Sequence, residues 1–220
     1  MAETHHEPVV VIGLGRFGAA IAVELSRQGT DVLAIDESHD IVQSLSSELA
    51  QVVTADCTDL EALTQLGVGD FRQAVVAIGE HLEDNILVTS HLVDLGVGDI
   101  WAKATSAHHG RILERIGAHH VVFPEHDMGQ RVAHLVSGNV LDYLRIDGDF
   151  AIAKLRPPKE ILGVPLKDTD VRSKHGVTVV AVKCGDDAFT HVGLDTVIRD
   201  GDVILAVGHS DDIEHLGDGS

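Results

Sequence analysis

A parallel, doubly wound α/β fold followed by a smaller α+β unit is the fold class that this sequence predicts, on three observations. The all-apolar run Val9-Val10-Val11-Ile12 leads directly into Gly13, Gly15 and Gly18 at G-x-G-x-x-G spacing. Six short apolar runs then alternate with helix-period segments as far as Pro124. Strands that are apolar along their whole length need helices on both faces, which is the condition of a parallel sheet. After residue 147 the pattern changes, and β-rich runs are separated by Pro157-Pro158, Gly185-Asp186-Asp187 and Asp200-Gly201-Asp202. That punctuation reads as hairpins and turns of a second unit.

Each element follows in order. Gly13 permits a tight turn off the first strand, Gly15 lets backbone approach a pyrophosphate, and Gly18 lets helix and strand pack closely, as in a Rossmann-like unit. Helix N–H groups then face an anion. Phe17, Ile21 and Leu25 recur every four residues on one helix face, and Gly29 ends it. The run from Asp31 to Asp36 is a second strand, with a carboxylate where a ribose hydroxyl acceptor belongs, about 20 residues after the glycines. Ile41, Leu45 and Leu49 give the next helix, and Val52-Val53-Thr54-Ala55 a third strand ending at Asp56. Thr58 and Glu61 have capping-box spacing for a helix carrying Leu60, Leu63 and Leu66. A fourth strand runs from Ala74 to Gly79, a helix from Leu82 to Leu95, a fifth strand from Ile100 to Ala104, and a sixth over Val121-Val122-Phe123. From Glu125 the apolar positions Met128, Val132, Leu135 and Val136 share a helical face, and Val140, Leu141 and Leu144 extend the apolar content past Gly138. This predicts a helix pair reaching about Leu144, packed on its own chain or on another subunit. The expected boundary is Asp147-Gly148-Asp149, giving units 1–147 and 148–220.

Ligands in open parallel sheets sit at the carboxyl ends of strands, near the topological switch point. The predicted rim is therefore Gly13 to Gly18, with Arg16 and Phe17 inside the turn, then Asp36, Asp56, Cys57, Ile78, Gly79, Lys103 and Glu125. Arg16 carries a planar fork suited to a phosphate that backbone amides do not saturate.

Composition narrows the function. With 35 acidic against 16 basic residues the formal charge is −19, which repels phosphate backbones and argues against nucleic acid as a partner. A small anionic ligand needs only local dipoles and a few placed cations. No apolar stretch approaches the ~20 residues of a membrane span, and Met1 to Pro8 is polar with no leader-like pattern, so a soluble, cytoplasmic chain is expected. Cys57 and Cys184 lack any CxxC spacing and read as reduced thiols. The fifteen histidines include His5-His6, His108-His109 and His119-His120, none in metal-ligand spacing.

Five separated stretches carry a family resemblance that covers nearly the whole chain: Val11-Ile-Gly-Leu-Gly-Arg-Phe-Gly18, Val76-Ala-Ile-Gly79, Ile100-Trp-Ala-Lys-Ala104, Leu113-Glu-Arg-Ile-Gly-Ala118 and Pro124-Glu-His-Asp-Met-Gly129. In this the sequence resembles the cytosolic regulatory subunits of bacterial Ktr/Trk-type potassium transporters, closest to the KtrA type, with N- and C-terminal regulator-of-potassium-conductance (RCK) subdomains. The resemblance implies adenine-nucleotide binding, an octameric ring of dimers, and a membrane-embedded potassium-conducting partner of the KtrB or TrkH type at the inner face of the membrane. It implies that Gly13, Gly15 and Gly18 hold phosphates and Asp36 the ribose. Arg16 and Lys103 would be the phosphate cations, and Glu125 the ligand of a Mg²⁺, Ca²⁺ or Na⁺ ion accompanying ATP. It also implies cyclic di-AMP on the second unit, with Ile161 and Leu162 flanking a base and Arg172 on a phosphate. Asp56 departs from KtrA relatives, which often have a neutral side chain there, whereas TrkA relatives that respond to NAD(H) have acids. ATP/ADP and NAD/NADH therefore both stay open as ligands. An NAD(H)-dependent oxidoreductase is the rival from another class, but no Tyr-x-x-x-Lys pair and no large substrate domain accompany the glycine motif, so no enzymatic activity is expected. A transcriptional NAD sensor would need a basic reading head, which is absent.

Overall fold

The six apolar runs form six parallel strands in the order β3-β2-β1-β4-β5-β6: β1 (Val9–Ile12), β2 (Val32–Asp36), β3 (Gln51–Thr54), β4 (Gln73–Val76), β5 (Asp99–Lys103) and β6 (His120–Val122). The computed structural model describes residues 7–136 and 140–218. Helices α1 (Arg16–Arg27), α2 (His39–Leu45), α3 (Leu60–Gln65), α4 (Leu82–Asp94) and α5 (Ala107–Ile116) supply the crossovers. Strand order reverses between β1 and β4, which lie side by side with Ile12 opposite Val76. The pleat sends alternate residues of each strand to opposite faces. Val10, Ile12, Ala74, Val76, Ile100 and Ala102 pack with Val88, Leu92 and Leu113 of α4 and α5, while Val9, Val11 and Ala34 meet Ala22 of α1 and Leu45 of α2. The predicted parallel, doubly wound fold is what forms.

Two local expectations are corrected. Helix α3 is capped by Asp59, whose side chain accepts from the Glu61 N–H at 2.9 Å, and not by Thr58. Thr58 instead donates both its N–H and its hydroxyl to Asp56 Oδ1, at 2.9 and 2.6 Å. An aspartate immediately before the helix outcompetes the hydroxyl one residue earlier.

The second correction concerns the segment after α6 (Pro124–Val136). Where apolar content suggested continued helix, Val140–Asp147 is a strand, β7, paired antiparallel with β8 (Phe150–Leu155); Gly138 itself lies outside the described residues. By contacts the chain forms two compact units that divide between Glu125 and His126. Val140, Leu141 and Leu144 supply the apolar content that suggests helix, but the cross-strand hydrogen bonds offered by β8 decide the outcome.

The second unit continues through α7 (Val171–His175), β9 (Thr178–Lys183), β10 (Thr190–His191), β11 (Val203–His209) and α8 (Ser210–Asp218). Its five strands are antiparallel, in the order β10-β9-β11-β8-β7. Ile213 and Leu216 of α8 and Val171 of α7 join Ala153, Leu155, Val179, Ile204 and Ala206 in a separate core.

His109 on α5 is 1% exposed, and its Nδ1 accepts from the Thr105 N–H at 3.3 Å. Burial holds the imidazole below its ordinary value of 6.5. A histidine depressed in the folded state binds fewer protons than in the unfolded chain, so its contribution is complete above about pH 6.5 and is lost as pH falls toward the folded value. The urea midpoint should therefore drop between pH 7.5 and 5.5, and His109→Gln should flatten that dependence. An equally steep dependence in the variant would contradict the assignment.

Candidate functional site

The site grows from the turn between β1 and α1. Gly13 has φ +87°, and a Cβ there would stand 3.0 Å from Ile78 Cγ1 and 3.1 Å from the Ile78 nitrogen, so this turn and the chain after β4 are in contact. At Gly18 a Cβ would overlap the Gly13 carbonyl oxygen and lie 2.9 Å from Ala77 Cβ. Gly15 is different: a Cβ there would meet nothing within 4 Å. Its backbone is extended (φ −60°, ψ −174°), and as N-cap of α1 it makes no side-chain cap bond. The first N–H groups of a helix have no intrahelical partners, and the first turn of α1 carries no acid. Open space, free donors and the positive end of the helix dipole coincide at Gly15.

Asp36 closes one side. Its Oδ2 accepts from the Leu14 N–H at 2.6 Å and its Oδ1 from the Ser38 N–H at 2.8 Å. A carboxylate has about four acceptor positions, so both oxygens keep capacity for hydroxyl donors. Asp56 is exposed at the end of β3, and its hydrogen bonds from Thr58 hold its carboxyl below the usual range. Cys57 is 7% exposed. Burial, and then the carboxylates of Asp56, Asp36 and Glu37, push its thiol up to about 12. It lines this edge as an inert thiol.

Lys103, at the end of β5, closes the other side. Its ammonium sits 2.6 Å from Glu125 Oε1 and 5.9 Å from the centre of the Phe17 ring. A Cβ on Gly79 would come within 2.8 Å of the same Nζ, so the missing side chain at Gly79 makes room for the cation. The Lys103 hydrogen bond, aided by the positive charges of Lys103 and Arg16, holds the Glu125 carboxyl below its ordinary value. Glu125 is two-thirds exposed while Lys103 is almost buried. The acid is thus the solvent-facing partner of a largely buried cation.

The structure brings together Gly13, Gly15, Arg16, Phe17, Gly18, Ile78, Gly79, Lys103 and Glu125, with Asp36 joined to the turn and Asp56 and Cys57 beside Asp36. The three candidates on the second unit do not form a comparable set. Ile161 has no exposed surface and belongs to the core, so it cannot flank a base; Leu162 is half-buried and Arg172 exposed. Among the described residues no three His, Cys, Asp or Glu side chains cluster as a metal site. Of the histidine pairs, His5-His6 lies outside the described residues. His119 Nδ1 accepts from the Ile100 N–H, and His120 stacks on Trp101 and pairs with Asp99. Both cysteines are free thiols, and no helix among the described residues is long and apolar enough to cross a membrane.

Sequence reasoning missed two contributors. The Leu14 N–H anchors the turn to Asp36, and backbone donors leave no signature in side-chain identity. Asn85, buried in α4, donates from Nδ2 to the carbonyls of Ile78 (2.6 Å) and Lys103 (3.0 Å). Its signal was available: a lone amide on the apolar face of a predicted helix.

Comparison with known proteins places this geometry. Residues 9–124 match the TrkA-N domain family and residues 150–218 the TrkA-C domain family. The chain is 39% identical over 207 residues to Ktr system potassium uptake protein C of Bacillus subtilis, covering 94% of each protein. It is 34% identical over 217 residues to Ktr system potassium uptake protein A of the same organism, covering 98% of each. Among solved structures, the GsuK RCK domain superposes with a TM-score of 0.66 at 18% identity, over 99% of this chain and 49% of that one. The GsuK channel bound to NAD superposes with a TM-score of 0.67 at 18% identity, over 98% and 40% respectively. This chain thus spans less than half of either of those chains, and at that identity the likeness is one of fold.

Proposed function

From the premise that the chain belongs to the TrkA-N/TrkA-C family of Ktr-system potassium uptake proteins, we propose that it is a cytosolic regulatory subunit that gates a membrane potassium transporter through ATP/ADP-dependent conformational change. The observation that carries the nucleotide part is the opening at Gly15, flanked by free helix donors, by Asp36 and by Lys103. In this reading Gly13, Gly15 and Gly18 shape the phosphate turn, and Asp36 accepts from the ribose. Asp56 and Cys57 line the edge beside Asp36, and Ile78 and Gly79 line the opposite wall. Lys103 and Arg16 meet phosphate, Arg16 reaching the terminal phosphate of a nucleotide held by the neighbouring subunit of a dimer. The dimers assemble into an octameric ring on a KtrB- or TrkH-type partner at the inner face of the membrane.

The Lys103–Glu125 pair supplies the switch. A phosphate arriving at Lys103 competes with the Glu125 carboxylate, and Glu125 lies in the first turn of α6, so the exchange changes the charge at that helix start. A ligand shifts a conformational equilibrium only through differential affinity for its states, and a contact to the terminal phosphate distinguishes ATP from ADP. The released carboxylate suits a Mg²⁺, Ca²⁺ or Na⁺ ion, but one carboxylate is a poor site by itself, so phosphate oxygens must complete the set.

The exposed Asp56 carboxylate favours a second reading, NAD(H) as the ligand, and the NAD-bound state of GsuK is in keeping with it. A thermal-shift panel with ATP, ADP, NAD, NADH and cyclic di-AMP separates them, since a ligand specific to the folded state adds about 2.7 kcal/mol at 100 times its Kd. For cyclic di-AMP only Leu162 and Arg172 remain as contacts. Cation enhancement of ATP binding should largely vanish with ADP and in Glu125→Gln. Equal enhancement in wild type and variant would reduce Glu125 to a helix-start acid, and no stabilisation by any nucleotide would remove the proposed function.

A further inference from the structure

We infer that Asn85 is a positioning residue for the nucleotide site: its amide clamps the chain just after β4 to the end of β5 so that Lys103 and Gly79 face the ligand at a fixed spacing. The inference rests on the nucleotide reading above and deepens it. Regular pairing between β4 and β5 ends at Val76 opposite Ala102, and beyond that point no backbone hydrogen bond joins the two segments among the described residues. Asn85 spans the gap. It is fully buried, and Nδ2 donates to the Ile78 carbonyl at 2.6 Å and to the Lys103 carbonyl at 3.0 Å.

Both partners are acceptors only, which fixes the amide orientation. Its Oδ1, equally buried, has no partner among the described residues. An amide among Val88, Leu92 and the strand residues of this core costs desolvation that a leucine would not. Its contribution is therefore the two donated bonds, and both go to the site.

The geometry downstream shows what the clamp sets. Gly79 immediately follows Ile78, and a Cβ on it would lie 2.8 Å from Lys103 Nζ. Two strand ends held by one side chain thus bring the Lys103 ammonium over the Gly79 backbone, while Thr89 Oγ1 donates to the Asn85 backbone carbonyl at 2.8 Å within α4. A phosphate on Lys103 would meet a cation whose strand end cannot drift from the β4 wall.

The test is calorimetric titration of the full-length chain with ADP and, in parallel, NAD, for wild type, Asn85→Leu, Lys103→Met and the double variant. Asn85→Leu should weaken binding about tenfold, the size of one hydrogen-bond-scale interaction. The double variant should bind no more weakly than Lys103→Met alone, since Asn85 acts through Lys103. A purely structural role would lower the melting temperature and leave the affinity of folded protein unchanged, which would overturn the inference, as would additive losses. If Asn85→Leu does not fold, the wild type still decides: the Asn85 side-chain amide signal in a ¹⁵N spectrum should shift on saturation with ADP or NAD, and an unmoved signal overturns the clamp. Failure of wild type to bind either ligand overturns the nucleotide reading as well, whereas normal binding by Asn85→Leu overturns only the role of Asn85.

Discussion

Gly15→Val is expected to weaken nucleotide binding at least about a hundredfold in a chain that still folds, whereas Gly18→Ala is expected to destabilise the fold by a large fraction of its stability. The two glycines belong to one motif but meet opposite surroundings. A side chain at Gly15 points into open space from a backbone that L residues adopt freely, φ −60° and ψ −174°. Nothing in the chain resists it, and a pyrophosphate approaching the α1 donors would. A loss of at least about a hundredfold in affinity, about 2.8 kcal/mol, is expected by titration. At Gly18 the added methyl runs into the Gly13 carbonyl oxygen and Ala77 Cβ, so α1 must back away from β1 along its length. Overpacking of this kind typically costs about 1–3 kcal/mol, a large share of the roughly 5–15 kcal/mol available to a domain. Urea unfolding measures it. Wild-type affinity in Gly15→Val, or an unchanged midpoint in Gly18→Ala, would remove the respective assignment.

Asp36→Ala should weaken ATP and ADP binding roughly ten- to hundredfold, the loss of one set of charged hydrogen bonds, about 1.5–3 kcal/mol. The Leu14 N–H bond to Oδ2 adds a second route to the same loss, because the carboxylate also anchors the phosphate turn. Asp36→Asn separates the two: its remaining oxygen can anchor Leu14 while one ribose acceptor is lost. Affinity should then fall by less than in Asp36→Ala. Equal and unchanged binding in both folded variants, by calorimetry, would reject Asp36 as the ribose acceptor.

The first unit was legible because its two signals are local. Apolar runs such as Val9–Ile12 need no knowledge of the partner strand to be read as buried, and G-x-G-x-x-G states where a helix begins and why. Lys103 and Glu125 were legible only as strand-end and helix-start positions. Their ion pair brings together side chains 22 residues apart in sequence, and no spacing rule connects them. The second unit was legible in outline from the β-rich runs Val177–Val182 and Val203–Val207, which apart from Val177 fall in β9 and β11. Ile161, chosen as a ligand contact, is core instead, since an apolar residue looks the same in sequence whether it faces a ligand or a neighbouring strand.

By itself the sequence determined the alternation of strands and helices, the glycine turn and the carboxylate after β2, because each is set by periodicity and backbone sterics within a few residues. Only the tertiary structure decided that Val140–Asp147 is a strand, since that depends on hydrogen bonds from β8. It alone decided that Asp36 holds the turn, that Glu125 rests on Lys103, and that Asn85 joins β4 to β5. These are contacts between groups far apart in the chain, and their energies exist only once the sheet has brought the strand ends to one edge.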